Sequence, residues 1–214
     1  MTDGLDGDSI TQYHDAVLRL AQGQSDHPGS GPGAWIAIAA NHRFNCLLWC
    51  EEDKARRQDV PAADIADGKR RIDAYNQQRN DAVEAIDEAL LAGLAGITPA
   101  CNARLSSETA GAMIDRLSIL ALKIHHMRAQ TERSDVGGAH IEACAARLQR
   151  LVGQRADLSG CLDRLLSEAR DGRAYLKVYR QFKMYNDPAL NPYLYGQART
   201  AGAPGQGVPG QGVP

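Results

Sequence analysis

The chain of 214 residues contains no long apolar run and no block of like charge. Its longest apolar run, residues 34–40, is far shorter than the roughly 20 residues that a membrane-spanning helix requires. Acidic and basic residues nearly balance at a formal net charge of -2, so a general attraction to nucleic acid is not expected. These absences predict a protein with no membrane span and no nucleic-acid partner.

The five cysteines are odd in number and form no C-x-x-C pair, which argues against a disulfide framework and against a zinc site. The first residues, MTDGLDGDS, are acidic and lack the basic and apolar segments of a secretory signal peptide. Neither G-x-S-x-G nor a P-loop occurs, so no standard nucleophile or phosphate-binding loop is indicated. A cytoplasmic location is therefore expected.

Proline and glycine are concentrated towards the two ends of the chain. The linker DHPGSGPG follows a short amphipathic segment, and the repeat PGQGVPGQGVP ends the sequence. Segments of this composition cannot bury a core. The expected organisation is an N-terminal amphipathic helix and linker at residues 1–33, a helical bundle domain at 34–196 and a disordered Pro/Gly tail at 197–214.

Between the ends, apolar residues recur at steps of three and four, which is the period of amphipathic helices. A last short helix is expected after Gly172, and strand signals are almost absent. The sequence predicts an all-α fold, a bundle of five or six helices with a polar centre. The five longer helices are expected at about residues 9–23, 35–57, 61–94, 109–132 and 139–170.

Four charged residues interrupt the apolar faces of four of these helices: Glu51, Arg79, Asp115 and Arg155. An unpaired charge on a buried face is costly, so each must find a partner. Because two are acidic and two are basic, we expect the four helices to converge on one internal polar site. Neighbouring polar residues complete this predicted site: Glu52, Asn76, Asn80 and Asp87.

Roles can be suggested for these residues from their chemistry. Glu51 and Asp115 are the candidate catalytic groups, as acid, base or orienting carboxylate. Arg79 and Arg155, with Lys123, are candidate anchors for a phosphorylated ligand. The alternative is that the charges form a structural ion network that only fixes helix packing.

A second alternative is a magnesium-dependent enzyme like the helical nucleoside-triphosphate pyrophosphohydrolases. Carboxylates at residues 51–53 on one helix, and at Glu84 and Asp87 on another, would hold the ion. The second pair has the expected E-x-x-D form, but the first cluster lacks a carboxylate three residues after Glu52. The sequence leaves the cofactor open, with magnesium as one candidate.

Tyrosines cluster near the C-terminus, where five of the seven lie between Tyr175 and Tyr195. Rings beside polar groups suit stacking on a sugar or a base. Tyr179, Arg180 and Tyr185 are the candidate ligand contacts in this segment. The alternative is that these aromatic side chains only pack a final helix against the bundle.

Four sequence blocks resemble the signature blocks of an uncharacterised bacterial family of helical proteins, a domain of unknown function whose members are about as long as this chain. The resemblance covers residues 40–195, and the chain departs from it at Ala110, where proline is expected, and in its tail. It implies no catalytic residue. The blocks are HRFNCLLWCEEDKAR, RRIDAYNQQRNDAVEAID, SSETAGAMIDRLSILALKIHHM and KVYRQFKMYNDPALNPYLY.

The patterns LW-x-x-ED and ID(R/K)-x-(S/T)IL-x-x-K are distantly similar to a second uncharacterised family, which is often met among genes for lipopolysaccharide and other surface-glycan synthesis. With the charged positions, this likeness favours a cytosolic protein that binds or acts on a phosphorylated sugar or nucleotide-sugar in bacterial surface-glycan metabolism. The alternative from another class is a non-catalytic interaction or assembly protein, such as a homodimer. The sequence does not decide whether the chain is an enzyme.

Overall fold

A computed structural model of the protein describes residues 4–20 and 33–181. The all-α prediction is confirmed, and each of the five longer predicted helices lies within a few residues of an observed one. Residues up to Tyr179 belong to one compact unit, and Arg180 and Gln181 belong to a second. The predicted linker, except Gly33, and the whole Pro/Gly tail lie outside the described residues. The helices are α1 (Gly7–Leu20), α2 (Ala34–Ala55), α3 (Ala62–Gly93), α4 (Ala110–Thr131) and α5 (Gly138–Arg170).

The last predicted helix does not begin directly after Gly172, because the chain there forms a strand; the part of this prediction beyond residue 181 lies outside the described residues. Strand β2 (Ala174–Leu176) pairs in parallel with β1 (Arg104–Ser106) from the loop between α3 and α4. Gly172 adopts a positive φ of 68° at the end of α5 and accepts a hydrogen bond from the backbone N–H of Ala100 at 2.9 Å. Backbone bonds to a distant loop, which no periodicity reveals, therefore stabilise this segment.

Helix α4 is the centre of the bundle, since it contacts each of the other four helices. This explains why its sequence is apolar nearly all round. The two most extensive helix pairs are α2 with α3 and α4 with α5. The core residues that α4 contributes are fully or almost fully buried: Ala110, Met113, Ile114, Leu117, Ala121, Leu122 and Ile124.

The start of α4 packs closely against α3. Thr109 is the N-cap, and its Oγ1 accepts a hydrogen bond from the N–H of Ala112 at 3.2 Å. Asp87 on α3 accepts another from the N–H of Gly111 at 2.7 Å. A Cβ atom on Gly111 would lie 2.5 Å from the carbonyl oxygen of Val83. Glycine therefore permits the close approach of the two helices that aligns α4 with α2 and α3.

Candidate functional site

A cluster of polar side chains lies where α2, α3 and α4 meet. Asn41 and Asn45 are one turn apart on α2, so both face α4. Their Nδ2 atoms donate to the same oxygen, Asp115 Oδ1, at 2.8 and 2.9 Å. Asn45 Nδ2 also lies 3.0 Å from Ser118 Oγ. These residues, together with His42 and Arg79, are called the polar cluster below.

Arg79 lies at the edge of the polar cluster with part of its hydrogen-bonding capacity unused. Its Nε is 4.0 Å from Asp115 Oδ1, which is too long for a hydrogen bond, and this buried atom has no acceptor among the described residues. Its Nη2 donates to Asn80 Oδ1 at 3.1 Å. The side chains of Arg79 and Asp115 are 26% and 16% exposed, whereas Asn41 is fully buried.

Two stacked histidines extend the polar cluster towards α1. His42 Nδ1 is 2.8 Å from Ser118 Oγ, and the His42 ring stacks on His14 with 4.4 Å between ring centroids. His14 is fully buried, and neither of its ring nitrogens has a hydrogen-bond partner in residues 4–20 or 33–181. Burial lowers the pKa of His42 to about 4 and lowers the pKa of His14 well below its usual range. Both rings are therefore neutral at pH 7.

Sequence reasoning missed both of these histidines. His14 lies four residues from Ile10 and from Leu18, which are buried on the apolar face of α1. The helical period alone therefore placed an imidazole on a core-facing stripe.

The four charges that interrupt the apolar faces do not converge on one site. Glu51 accepts hydrogen bonds from Lys54 at 2.8 Å and from Arg71 of α3 at 2.9 Å, and these two partners lower its pKa. Arg155 donates to Asp15 of α1 at 2.7 Å. Only Arg79 and Asp115 lie side by side.

The other residues of the predicted internal site are dispersed. Glu52 pairs at 3.4 Å with Arg56, the residue directly after α2, and Asp87 accepts a hydrogen bond from the backbone at the start of α4. Asn80 accepts the bond from Arg79. Asn76 is half-buried on α3, one turn before Asn80.

Of the three predicted C-terminal ligand contacts, Tyr179 alone belongs to the first compact unit. Tyr179 ends the first compact unit with 49% of its surface exposed, and Arg180 belongs to the second unit. Tyr185 lies outside the described residues.

The carboxylates of the magnesium alternative are engaged elsewhere rather than gathered. Asp53 pairs with Arg56 at 3.2 Å, as Glu52 does, and Glu51 pairs with Arg71 and Lys54. In the described part of the chain, no group of three His, Cys, Asp or Glu side chains is arranged to hold a metal ion. These carboxylates therefore form no preassembled three-ligand metal site in the described part of the chain, and the magnesium alternative stays a prediction.

A groove runs between α4 and α5 and contains two adjoining cavities. The first, of about 560 Å³, is called the Trp49 cavity. The second, of about 640 Å³, shares Lys123 and Gln154 with it and continues towards the start of α4. Lys123, a predicted ligand residue, thus lies between the two. The Trp49 cavity is lined by Trp49, Asp53, Lys123, His126, Met127, Gln130, Arg147, Arg150, Leu151 and Gln154.

The Trp49 cavity carries an excess of positive charge. Lys123, Arg147 and Arg150 make no hydrogen bond and no ion pair with any residue that the structure describes. The single carboxylate of the lining, Asp53, is already paired with Arg56. The second cavity is more balanced, because Arg116 pairs with Glu108 and an aspartate joins its lining.

Trp49 and His126 form a flat aromatic pair in this cavity. Their rings stack with 4.5 Å between centroids and an interplanar angle of 3°. The pKa of His126 is lowered, first by burial and then by the neighbouring His125, so the ring is mostly neutral at pH 7. The cavity thus presents neutral rings beside three cations.

The two arginines of the cavity were not predicted from the sequence. Arg147 and Arg150 are exposed and three residues apart, so they share one face of α5. The residues three and four positions away from each of them include no carboxylate. Two arginines on one helix face with no acidic neighbour at helical spacing were the sequence signal that could have marked them as candidate ligand contacts.

Fold and sites together define an all-α protein with a buried polar cluster and a cationic groove. Residues 35–178 match the family described as "Protein of unknown function (DUF4254)", and the chain belongs to that family, as the resemblance predicted. The chain has no match among curated proteins or among solved structures. A helix capable of spanning a bilayer is absent from the described residues. The family description assigns no activity, so function must be argued from side chains.

Proposed function

We propose that the Trp49 cavity binds a small phosphorylated molecule. The observation that carries this proposal is that Lys123, Arg147 and Arg150 face one cavity without ion-pair partners among the described residues. Phosphate oxygens accept short, charge-assisted hydrogen bonds from lysine and arginine, and arginine can donate two at once. A phosphate group would neutralise the positive charge that no carboxylate of the cavity offsets.

The rest of the cavity favours a ligand larger than inorganic phosphate. Its volume of about 560 Å³ falls within the range of small-molecule sites. Trp49, Met127 and Leu151 offer apolar surface against which a sugar ring or a base can pack. A sugar phosphate or a nucleotide would use both the cations and the apolar wall.

The finer prediction, a phosphorylated sugar or nucleotide-sugar of bacterial surface-glycan metabolism, is supported by the distant likeness in sequence and by this combination of surfaces. A cytosolic location stays a prediction from the sequence. The proposal is one of binding. The catalytic roles predicted for Glu51 and Asp115 stay predictions, as do the ligand roles of Arg155, Tyr179, Arg180 and Tyr185.

The alternative function, a non-catalytic assembly protein, is favoured by a different observation. Ile36 is 65% exposed at the start of α2, and it lines a cavity of about 540 Å³ with Phe44 and with small side chains of α3. Such a surface suits a second copy of the chain. Light scattering after gel filtration would detect the dimer, and Ile36→Glu should convert it to a monomer.

Isothermal titration of the purified full chain tests the phosphate proposal. The probes are inorganic phosphate, glucose 1-phosphate, UDP and UDP-glucose at low ionic strength. We expect at least one organic phosphate to bind, and each of Arg147→Gln and Arg150→Gln to weaken it by about tenfold, since a charge-assisted hydrogen bond is lost. Arg164→Gln, an exposed arginine elsewhere on α5, is the matched control.

Two results would contradict the proposal. One is that none of the four probes binds to the wild-type chain. The other is that Arg164→Gln weakens binding as much as Arg147→Gln, since this would show only a general attraction between opposite charges.

A further inference from the structure

The groove between α4 and α5 continues past the Trp49 cavity into the second cavity, which is called the Asp157 cavity below. Lys123 of α4 and Gln154 of α5 line both cavities, so the two are parts of one groove. Polar residues of α5 recur along it at steps of three and four, and they therefore share one face of the helix. These residues are Arg147, Arg150, Gln154, Asp157 and Cys161.

The polar groups of the Asp157 cavity suit hydroxyl groups better than phosphate. Gln154 and Asp157 are exposed and make no hydrogen bond or ion pair with any residue that the structure describes. A carboxylate accepts hydrogen bonds, and an amide both donates and accepts them, as a set of hydroxyls requires. Phosphate is disfavoured beside the Asp157 carboxylate, and Arg116, the cation that lines this cavity alone, is paired with Glu108.

The Asp157 cavity also has an apolar part. Met113 and Leu158 are buried core residues that line it, and Leu120 beside them packs against the same core. Apolar walls with a few polar groups are the usual composition of a small-molecule site. A sugar ring matches both surfaces, because it carries C–H groups on its faces and hydroxyls at its edge.

The polar groups of the two cavities lie too far apart for one phosphate to contact both. Arg150 and Asp157 are seven residues apart, or about 10 Å along the axis of α5. Lys123 lies between the two cavities. An extended ligand is therefore needed to fill the whole groove. A nucleoside diphosphate sugar has its parts in the matching order: a base for the wall at Trp49, phosphates for the cations, and a neutral sugar beyond them.

We propose that the Asp157 cavity is the sugar subsite of a nucleoside diphosphate sugar whose base and phosphates occupy the Trp49 cavity. This inference rests on the proposed phosphate binding. It adds the group that lies beyond Lys123, and it makes Gln154 and Asp157 the residues that bind the sugar hydroxyls.

Isothermal titration of the full chain with matched probes tests the inference. The probes are UDP with UDP-glucose, and GDP with GDP-mannose. We expect Asp157→Ala to weaken binding of a sugar-bearing probe by about fivefold, because a hydroxyl loses its acceptor. The same variant should bind the matching diphosphate as tightly as the wild type or more tightly, since a carboxylate that repels phosphate is gone. The opposite directions separate a lost hydroxyl contact from a change of charge.

The matched control is Glu142→Ala, which removes an exposed carboxylate of α5 that lines neither cavity. It should leave the affinities for both kinds of probe unchanged. Asp157 is exposed and alanine favours the helix, so Asp157→Ala should fold like the wild type.

A second measurement uses Cys161, a free cysteine that lines the Asp157 cavity. Its alkylation by N-ethylmaleimide, followed by mass spectrometry, should slow when a sugar-bearing probe saturates the protein. The diphosphate alone should protect Cys161 less, because it does not reach this cavity. Cys101, an exposed free cysteine that lines neither cavity, is the internal reference.

Three results would overturn the inference while leaving the phosphate proposal intact. The first is that diphosphates bind but neither sugar-bearing probe does. The second is that Asp157→Ala weakens the sugar-bearing probes no more than Glu142→Ala does. The third is that UDP and UDP-glucose, or GDP and GDP-mannose, protect Cys161 equally. If none of the four probes binds, the phosphate proposal itself fails and this inference fails with it.

Discussion

Acidification should destabilise the protein through the stacked pair of His14 and His42. Burial lowers the pKa of His42 from 6.5 to about 4. The unfolded chain therefore binds more protons than the folded chain between these values, and stability falls as the pH falls through this window. From those two pKa values, His42 alone should lower the free energy of unfolding by roughly 2 kcal/mol between pH 8 and pH 5. His14, whose pKa burial lowers well below 6.5, adds to the loss.

Tyr13 and Cys46, two titratable groups near His14 and His42, contribute little to the change in stability between pH 5 and pH 8. Tyr13 and Cys46 have raised pKa values, that of Cys46 being about 11, so both stay neutral between pH 5 and pH 8. Unfolded carboxylates titrate mostly below pH 5. Comparing variants also cancels contributions that they share with the wild type.

Urea unfolding at pH 8, 7, 6 and 5, followed by circular dichroism, measures the effect in the wild type and in His14→Met. Methionine fills a similar volume without an ionisable ring. We expect His14→Met to lose less stability than the wild type on going from pH 8 to pH 5. His140→Gln, an exposed histidine of α5, should follow the wild-type curve. Identical pH profiles for the wild type and His14→Met would refute the reasoning, because His14 would then not be a buried neutral base.

Two further predictions concern packing and ion pairing. Gly111→Ala should destabilise the fold by about 1–3 kcal/mol in urea unfolding, because the added Cβ would meet the Val83 carbonyl oxygen. Gly153→Ala is the control: its Cβ would meet nothing within 4 Å, so it should be neutral or stabilising, and equal effects of the two variants would contradict the close contact of α3 and α4. A double-mutant cycle of unfolding free energies with Arg155→Met and Asp15→Asn should give a coupling of about 1 kcal/mol, since Arg155 Nη1 and Asp15 Oδ1 are 2.7 Å apart and both side chains are only partly exposed. Zero coupling would contradict this ion pair and leave Arg155 available as a ligand anchor.

The helices could be predicted because they depend on local chemistry. Each signal acts over only a few residues: the apolar periodicity, the capping Thr109 before α4 and the proline before α3. The parallel strand pair could not be predicted, since its two short segments are joined only after α4 and α5 have brought them together. The sequence also placed Asp115 and Arg79 correctly on interior faces.

The candidate sites show the limit of the same reasoning. A charge on an apolar stripe must face a neighbouring helix, but the stripe does not say which helix or which residue lies opposite. Glu51, Arg79 and Arg155 share one sequence property, a charge that interrupts an apolar helix face. The structure nevertheless places them beside three different partners: Arg71, Asp115 and Asp15 respectively.

By itself, the sequence determined the number of long helices, their approximate ends and the faces that they bury, because these follow from the helical period and from capping chemistry. Only the tertiary structure decided which polar groups meet. Helix order and crossing set those contacts between residues that are distant in the chain, such as Asn45 and Asp115, which are 70 residues apart. It also brought three cations of α4 and α5, which have no ion-pair partner among the described residues, to one groove, a property of two surfaces that neither helix has alone.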